Sequence, residues 1–184
     1  MEVDKEESHI LKGCLKGRRE EQRALYECHK ARMFALCLRY ARCNADAEDM
    51  LQEGFLKVFR DLHQYKPEAP LGAWIRKVMI NTALEHIRSN KKPHENDHDN
   101  IRLLQLESQE GVHDALNTKE LRRRIAELPD DFRTVFNLYA IEGYSHQEIS
   151  EMLHISVANS KVRLNRARRI LKRSILETNQ YYTL

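Results

Sequence analysis

The chain has 184 residues, enough for one domain or two small ones, with 41% hydrophobic residues, 32% charged residues and a formal net charge of +3. Six glycines and four prolines are few for this length, and the apolar pattern is helical nearly throughout, which predicts an all-α fold. No apolar run approaches the roughly 18–20 residues of a membrane span, and the acidic start MEVDKEE does not read as a signal peptide. The expectation is a soluble, cytoplasmic protein with no membrane insertion.

Charge is distributed in blocks. Residues 1–90 carry 16 basic and 14 acidic side chains, 91–117 carry 3 and 6, and 118–184 carry 12 and 8, so an acidic spacer separates two basic segments. Four cysteines, at 14, 28, 37 and 43, form no CxxC pair. That is a poor disulfide framework, and Cys28, Cys37 and Cys43 read as reduced, partly buried thiols. His94 and His98 lie in PHENDHDN, which offers no regular framework to hold ligands. Neither a metal nor another cofactor is expected.

In chain order, residues 8–16 read as a short helix, followed after Gly17 by a long helix from about Arg18 to Arg42 with Leu25, Phe34, Leu38 and Ala41 inward. Asn44 is placed to cap the next helix, whose first turns hold Asp46, Glu48 and Asp49, acids suited to the positive end of a helix dipole. Ala47, Met50, Leu51, Gly54, Phe55, Val58, Phe59 and Leu62 recur at helical spacing as a buried face. Outside it lie Asp49, Gln52, Glu53 and Leu56, either a partner surface or a wetted face with one stray Leu.

Tyr65–Pro70 is a loop, because each Pro biases its predecessor out of the helical region. In the helix from Leu71 to about Lys91, Trp74, Lys77, Asn81, Glu85 and Arg88 share an arc of about 80°, while Ile75, Val78, Met79, Ala83, Leu84 and Ile87 fill the rest. The single Trp thus sits where core meets solvent. It serves either as a stacking surface for unpaired bases beside phosphate-binding cations or as a plug in the core.

From Ser89 to about Thr118 the periodicity fails, and SNKKPHENDHDN reads as a flexible tether. Leu103, Leu104 and Leu106 within it suit a transient helix or a docking segment. Lys119–Glu127 is a helix, and Pro129 is expected at the first position of another, with Phe132, Val135, Phe136, Tyr139 and Ile141 as its core and Gly143 as its end.

Ser145–Arg173 reads as a short helix, a turn at His154-Ile155-Ser156 and a longer helix capped by Ser156. Between Val157 and Arg173 seven basic residues occur with no Asp or Glu. At about 100° per residue, Val157, Leu164, Ala167 and Leu171 form one arc and Asn159, Val162, Arg163, Arg166, Arg169 and Arg173 the other. Guanidiniums with an amide and a branched apolar group are the chemistry that reads base edges in a major groove. A solvated amphipathic helix is the plainer alternative; the acid-free second helix after a short helix and a turn favours a DNA-reading helix-turn-helix.

Asn44–Arg88 resembles the second conserved region of the sigma-70 family of bacterial RNA polymerase sigma factors, on the run DAEDMLQEGF at Asp46–Phe55 and the segment Trp74–Arg88. Leu128–Lys172 is similar to the fourth region. Two such regions with a short tether are the layout of the extracytoplasmic-function (ECF) group. The resemblance implies two small helical domains, 1–92 and 118–184, joined by a linker at 93–117. It implies that Asp46, Asp49, Gln52, Glu53 and Leu56 bind core RNA polymerase at the β′ clamp helices, with the β subunit as a further partner. Tyr65, Lys66, Trp74, Arg76, Lys77, Asn81 and Arg88 would hold the non-template strand of the −10 element. Ser156, Ala158, Asn159, Lys161, Val162, Arg163, Arg166 and Arg169 would read the −35 element as duplex. The linker would thread toward the RNA exit path, an anti-sigma factor is a further partner class, and the chain would act as a monomer.

His154 stands where the family often has Gly, Leu71 where Phe is common and Glu85 where Asp is common. Ser160 stands on the buried arc where an apolar residue is frequent, which predicts looser packing there. The competing reading is a conventional helix-turn-helix regulator, which would dimerise on two-fold half-sites. A helical enzyme is disfavoured, since no P-loop, HExxH, GxSxG or Rossmann pattern occurs.

Overall fold

The structure of the chain, a computed structural model, describes residues 2–89 and 120–181, with side chains described for 7–89 and 120–176. It is all-α across the described residues and divides into two compact units. The tether and its leucines, with His94 and His98, lie outside the described residues.

The first unit contains α1 (Glu2–Leu15), α2 (Arg19–Leu38), α3 (Asn44–Asp61), a 3₁₀ turn (Leu62–Gln64) and α4 (Leu71–Ser89). The second, third and fourth helices pack on one another, and α1 lies on α2. Leu25, Leu36, Cys37, Met50, Phe55, Val58, Ile75, Met79 and Ile80 form the core, each at most 3% exposed. Full burial of one such aliphatic or aromatic side chain stabilises by about 1.5–3 kcal/mol. Tyr26 of α2 meets Phe55 edge-on at 4.6 Å, which pins α2 to α3. Gly54 gives close approach at the α3–α4 crossing, where a Cβ would force the Sδ and Cε end of the Met79 side chain to shift.

Several local expectations change. The first helix begins at Glu2, not near residue 8, and α2 stops at Leu38, where Tyr40 and Ala41 both donate to the Cys37 carbonyl and tighten the last turn. Asn44 is the first helical residue of α3 instead of its cap. The extended residue is Cys43 (φ −144°), whose Sγ accepts from the Asp46 N–H at 3.5 Å. Asn44 Oδ1 is left buried with no hydrogen-bond partner among the described residues. On α4 the buried face also takes Ile80 and Thr82, the Thr hydroxyl donating back to the Val78 carbonyl at 3.0 Å. Cys28 is exposed, whereas burial pushes the Cys37 thiol up to about 12.

The second unit contains α5 (120–126), α6 (Asp130–Phe136) continuing into a π turn (Asn137–Ile141), α7 (His146–Leu153) and α8 (Val157–Tyr181). Both α6 and α7 pack on α8. Leu128, Ala167 and Leu171 form a cluster with Ile125, Phe132 and Phe136 against it. Buried Arg133 ties α5 to α6: Nη1 donates to the Ala126 carbonyl at 2.7 Å and Nη2 to Asp130 at 2.8 Å. Pro129 proves to be the N-cap of α6 (φ −51°, ψ 138°), because its ψ is extended and the helix starts at Asp130. The π turn, closed by the Glu142 N–H on the Asn137 carbonyl, adds a residue and rotates the end of the helix. Ile141, expected in the core, is therefore 38% exposed, and Leu138 takes the buried place.

Candidate nucleic-acid and partner interfaces

The outward stripe of α3 follows from its apolar face. Asp49, Gln52, Glu53 and Leu56 are all exposed, Leu56 by 71%. Glu53 is engaged with Lys57 at 2.9 Å, and Lys57 also donates to Glu85 of α4 at 2.6 Å. Asp46 stands apart from this stripe. Its Oδ2 accepts from the Arg42 N–H at 3.3 Å and its Oδ1 lies 3.8 Å from His86 Nε2, so it organises the start of α3.

The loop before α4 is closed on itself. Tyr65 Oη donates to the Ala69 carbonyl at 2.7 Å, and its ring lies 5.8 Å from the Trp74 ring at 57°. Ala73 and Trp74 both donate their N–H to the Pro70 carbonyl, which starts α4 at a fixed angle and sets Trp74 one turn in. Burial, with Glu7 nearby, raises the Tyr65 phenol above its ordinary pKa, so it stays protonated and keeps this bond at neutral pH. Trp74 is half-buried; Lys66, Lys77, Asn81 and Arg88 are exposed, and Arg76 is half-buried. Arg88 folds its Nε onto the Leu84 carbonyl at 3.3 Å. Tyr65 and Trp74 are thus brought together, while Lys66 stays in the loop and Arg76, Lys77 and Arg88 spread along α4.

In the second unit, Ser145 and Glu148 form a reciprocal capping box at the start of α7, each side chain accepting from the other's backbone N–H. His154 ends α7 in the left-handed region (φ 53°, ψ 46°), and Ser156 Oγ accepts from the Asn159 N–H at 3.1 Å, as a cap for α8 should. Ala158, Asn159, Lys161, Val162, Arg166 and Arg169 are exposed. Arg163 turns aside: Nη2 lies 3.1 Å from Asp131 of α6, with 21% of the side chain exposed. Two more guanidiniums lie over aromatic rings, Arg166 at 6.0 Å from Phe132 of α6 and Arg168 at 5.7 Å from Tyr139 of the π turn. Ser160 does not loosen the packing. It is fully buried, and its Oγ shares a 2.9 Å hydrogen bond with His146 Nδ1. The His146 ring stacks on Tyr139, and burial, then Lys161 and Arg168, lower its pKa and keep it neutral at pH 7.

Asn165 belongs to the outward face and was missed by the angular reading, although it lies three residues after Val162 and four before Arg169. That spacing places it between them on one stripe with Ala158. Among the described residues no three His, Cys, Asp or Glu side chains gather as metal ligands, and no helix is long and apolar enough to cross a membrane.

Comparison with known proteins gives these surfaces a family. Residues 25–92 match the family model for sigma-70 region 2, and residues 118–171 match that for sigma-70, region 4. The ECF RNA polymerase sigma factor SigM of Bacillus subtilis is 30% identical over 149 residues, covering 80% of this chain and 91% of SigM. The ECF RNA polymerase sigma factor SigE of Mycolicibacterium smegmatis is 28% identical over 148 residues, which span 78% of this chain and 57% of that longer protein. In fold, the chain resembles the sigma factor RpoE of Bartonella quintana, solved with the anti-sigma factor NepR, at a TM-score of 0.54 and 18% identity over 82% of this chain and 94% of RpoE. With two sigma-70 regions in order and a relative of this similarity along most of its length, the chain belongs to the ECF RNA polymerase sigma factors.

Proposed function

We propose that this sigma factor divides promoter recognition between its two units: residues 1–92 hold core polymerase and the opened −10 element, and 118–184 read the −35 element as duplex. The observation that carries the division is the preformed Tyr65–Trp74 ring pair in one unit and a capped helix-turn-helix in the other. Stacking of an unpaired base on an aromatic ring contributes about 1–3 kcal/mol. Extruding a base from the duplex costs a few kcal/mol. A ring pair already in place, with Lys66, Arg76, Lys77, Asn81 and Arg88 for phosphates and base edges, offsets that cost without ATP hydrolysis. The chain is then a specificity subunit, active as a monomer in the cytoplasm, and not itself an enzyme.

The polymerase contact falls on Asp49, Gln52, Glu53 and Leu56, whose one exposed apolar group amid acids and an amide suits the β′ clamp helices. Asp46 supports that surface by fixing the first turn of α3. The β subunit is a further contact, and an anti-sigma factor, the class of partner with which the RpoE structure was solved, is included among the partners. The −35 set is Ser156, Ala158, Asn159, Lys161, Val162, Arg163, Arg166 and Arg169, to which Asn165 is added.

The deciding experiment is transcription in vitro with purified core polymerase on a library of host promoter fragments. Specific run-off products that depend on the chain are expected. A chain that dimerises on two-fold sites and directs no initiation would replace this reading with that of a conventional regulator.

A further inference from the structure

The start of α7 and the inner side of α8 are joined by a polar contact that base reading itself does not use. Ser160 is fully buried, a position where a hydroxyl is costly unless bonded. Its partner is His146, the first residue of α7, with Nδ1 at 2.9 Å from Ser160 Oγ. The same imidazole stacks on Tyr139 of the π turn, centroids 4.5 Å apart and planes at 23°. The far end of α8's first half returns to that ring through Arg168, 5.7 Å from its centroid. One side chain therefore joins three elements: α7, which carries it, the π turn, which it stacks on, and α8, which it bonds.

Ser160 sits between Asn159 and Lys161, both exposed on the proposed duplex face. Residues on one helix turn together, so the bond that holds Ser160 inward fixes the angle at which Ala158, Val162 and Asn165 point outward. Base contacts tolerate only about 10–20° of misalignment. We propose that His146 is a positioning residue for sequence reading by α8, setting the rotation of that helix about its axis through Ser160 and Tyr139. The inference rests on the reading of the second unit as the −35 module.

The test uses the holoenzyme formed from the full chain and core polymerase, on a promoter whose upstream element has been selected from a randomised pool by the wild-type holoenzyme. The measured quantity is the ratio of affinities for the selected and a scrambled upstream element. His146→Phe keeps a ring against Tyr139 and removes the nitrogen; Ser160→Ala removes the hydroxyl. Each should lower the ratio roughly 5- to 10-fold, within the range of coupling between contacting residues. The double variant leaves two apolar groups facing each other and should recover the ratio to within about threefold. Loss of folded chain lowers both affinities by one factor and leaves their ratio unchanged, so a purely structural role would not move it. Wild-type ratios in both single variants, or a double variant as low as the two losses combined, would overturn the proposal. If the wild-type holoenzyme enriches no upstream element, the −35 reading falls and this inference falls with it; if it enriches one and the variants match it, only the inference falls.

Discussion

Arg163 and Asn165 stand two residues apart on α8 and face different tasks. Arg163 reaches Asp131 at 3.1 Å, whereas Asn165 is exposed in the middle of the outward stripe. A partly exposed ion pair of this kind contributes about 0.2–1 kcal/mol, so Arg163 can turn to a phosphate at small cost, but it is not aimed at base edges. The carboxamide of Asn165 can pair bidentately with adenine, a contact that discriminates by about 1–3 kcal/mol. Asn165→Ala is therefore expected to relax preference at one A·T pair roughly 5- to 150-fold. Arg163→Ala should weaken all duplexes alike and reduce the salt slope by about 1. Anisotropy titrations of the holoenzyme against single-base-pair variants of a selected upstream element check both, and a base-preference change confined to Arg163→Ala would reverse the assignment. Helical angles placed Arg163 on the outward arc and passed over Asn165, although the face opposite Leu164, Ala167 and Leu171 was itself legible. The tether to Asp131 was not, because it depends on which helix lies alongside, and neither did the sequence show that buried Ser160 had a partner 14 residues away.

Helix faces were the most legible feature at the scale of elements, and helix ends the least. The α3 face from Ala47 to Leu62 is buried as its spacing requires, with only Phe59 half-exposed. Its cap is Cys43 instead of the better cap-former Asn44, because the backbone is extended one residue earlier. The π turn in α6 left no mark in the apolar pattern, so Ile141 was misassigned while Leu138 was overlooked. The helix-turn-helix turn is the converse case, where a departure in sequence predicts a measurable strain. His154 occupies the left-handed region with its side chain exposed, and an L residue there costs about 1–2 kcal/mol. Glycine removes that cost but loses up to about 1 kcal/mol of backbone entropy on folding. His154→Gly should therefore stabilise the second unit by about 0.5–1 kcal/mol. Urea unfolding monitored through that unit's signals checks this; a lower midpoint would mean that the His154 side chain makes a stabilising contact.

At the scale of the whole molecule, each unit has its own buried core, so substitutions in one should leave the other's binding intact. That independence makes the division of labour testable with one aromatic residue. Trp74 contributes a half-buried ring to the pair with Tyr65, and its removal leaves the exposed stripe of α3 and all of α8 in place. Trp74→Ala should preserve assembly with core polymerase and binding to the upstream duplex. Opening of the −10 element should fall by the value of a lost stacking platform, about 1–3 kcal/mol, or roughly 5- to 150-fold in the opening equilibrium. Permanganate reactivity of thymines in the promoter measures that opening directly. A template carrying a pre-melted −10 segment should restore most of the lost transcription, since strand separation is then supplied by the DNA. Asn165→Ala on the same pre-melted template should show no such rescue, because its defect lies in the duplex contact. Undiminished thymine reactivity in the Trp74 variant would assign strand capture to other residues of the first unit and leave Trp74 as a core side chain.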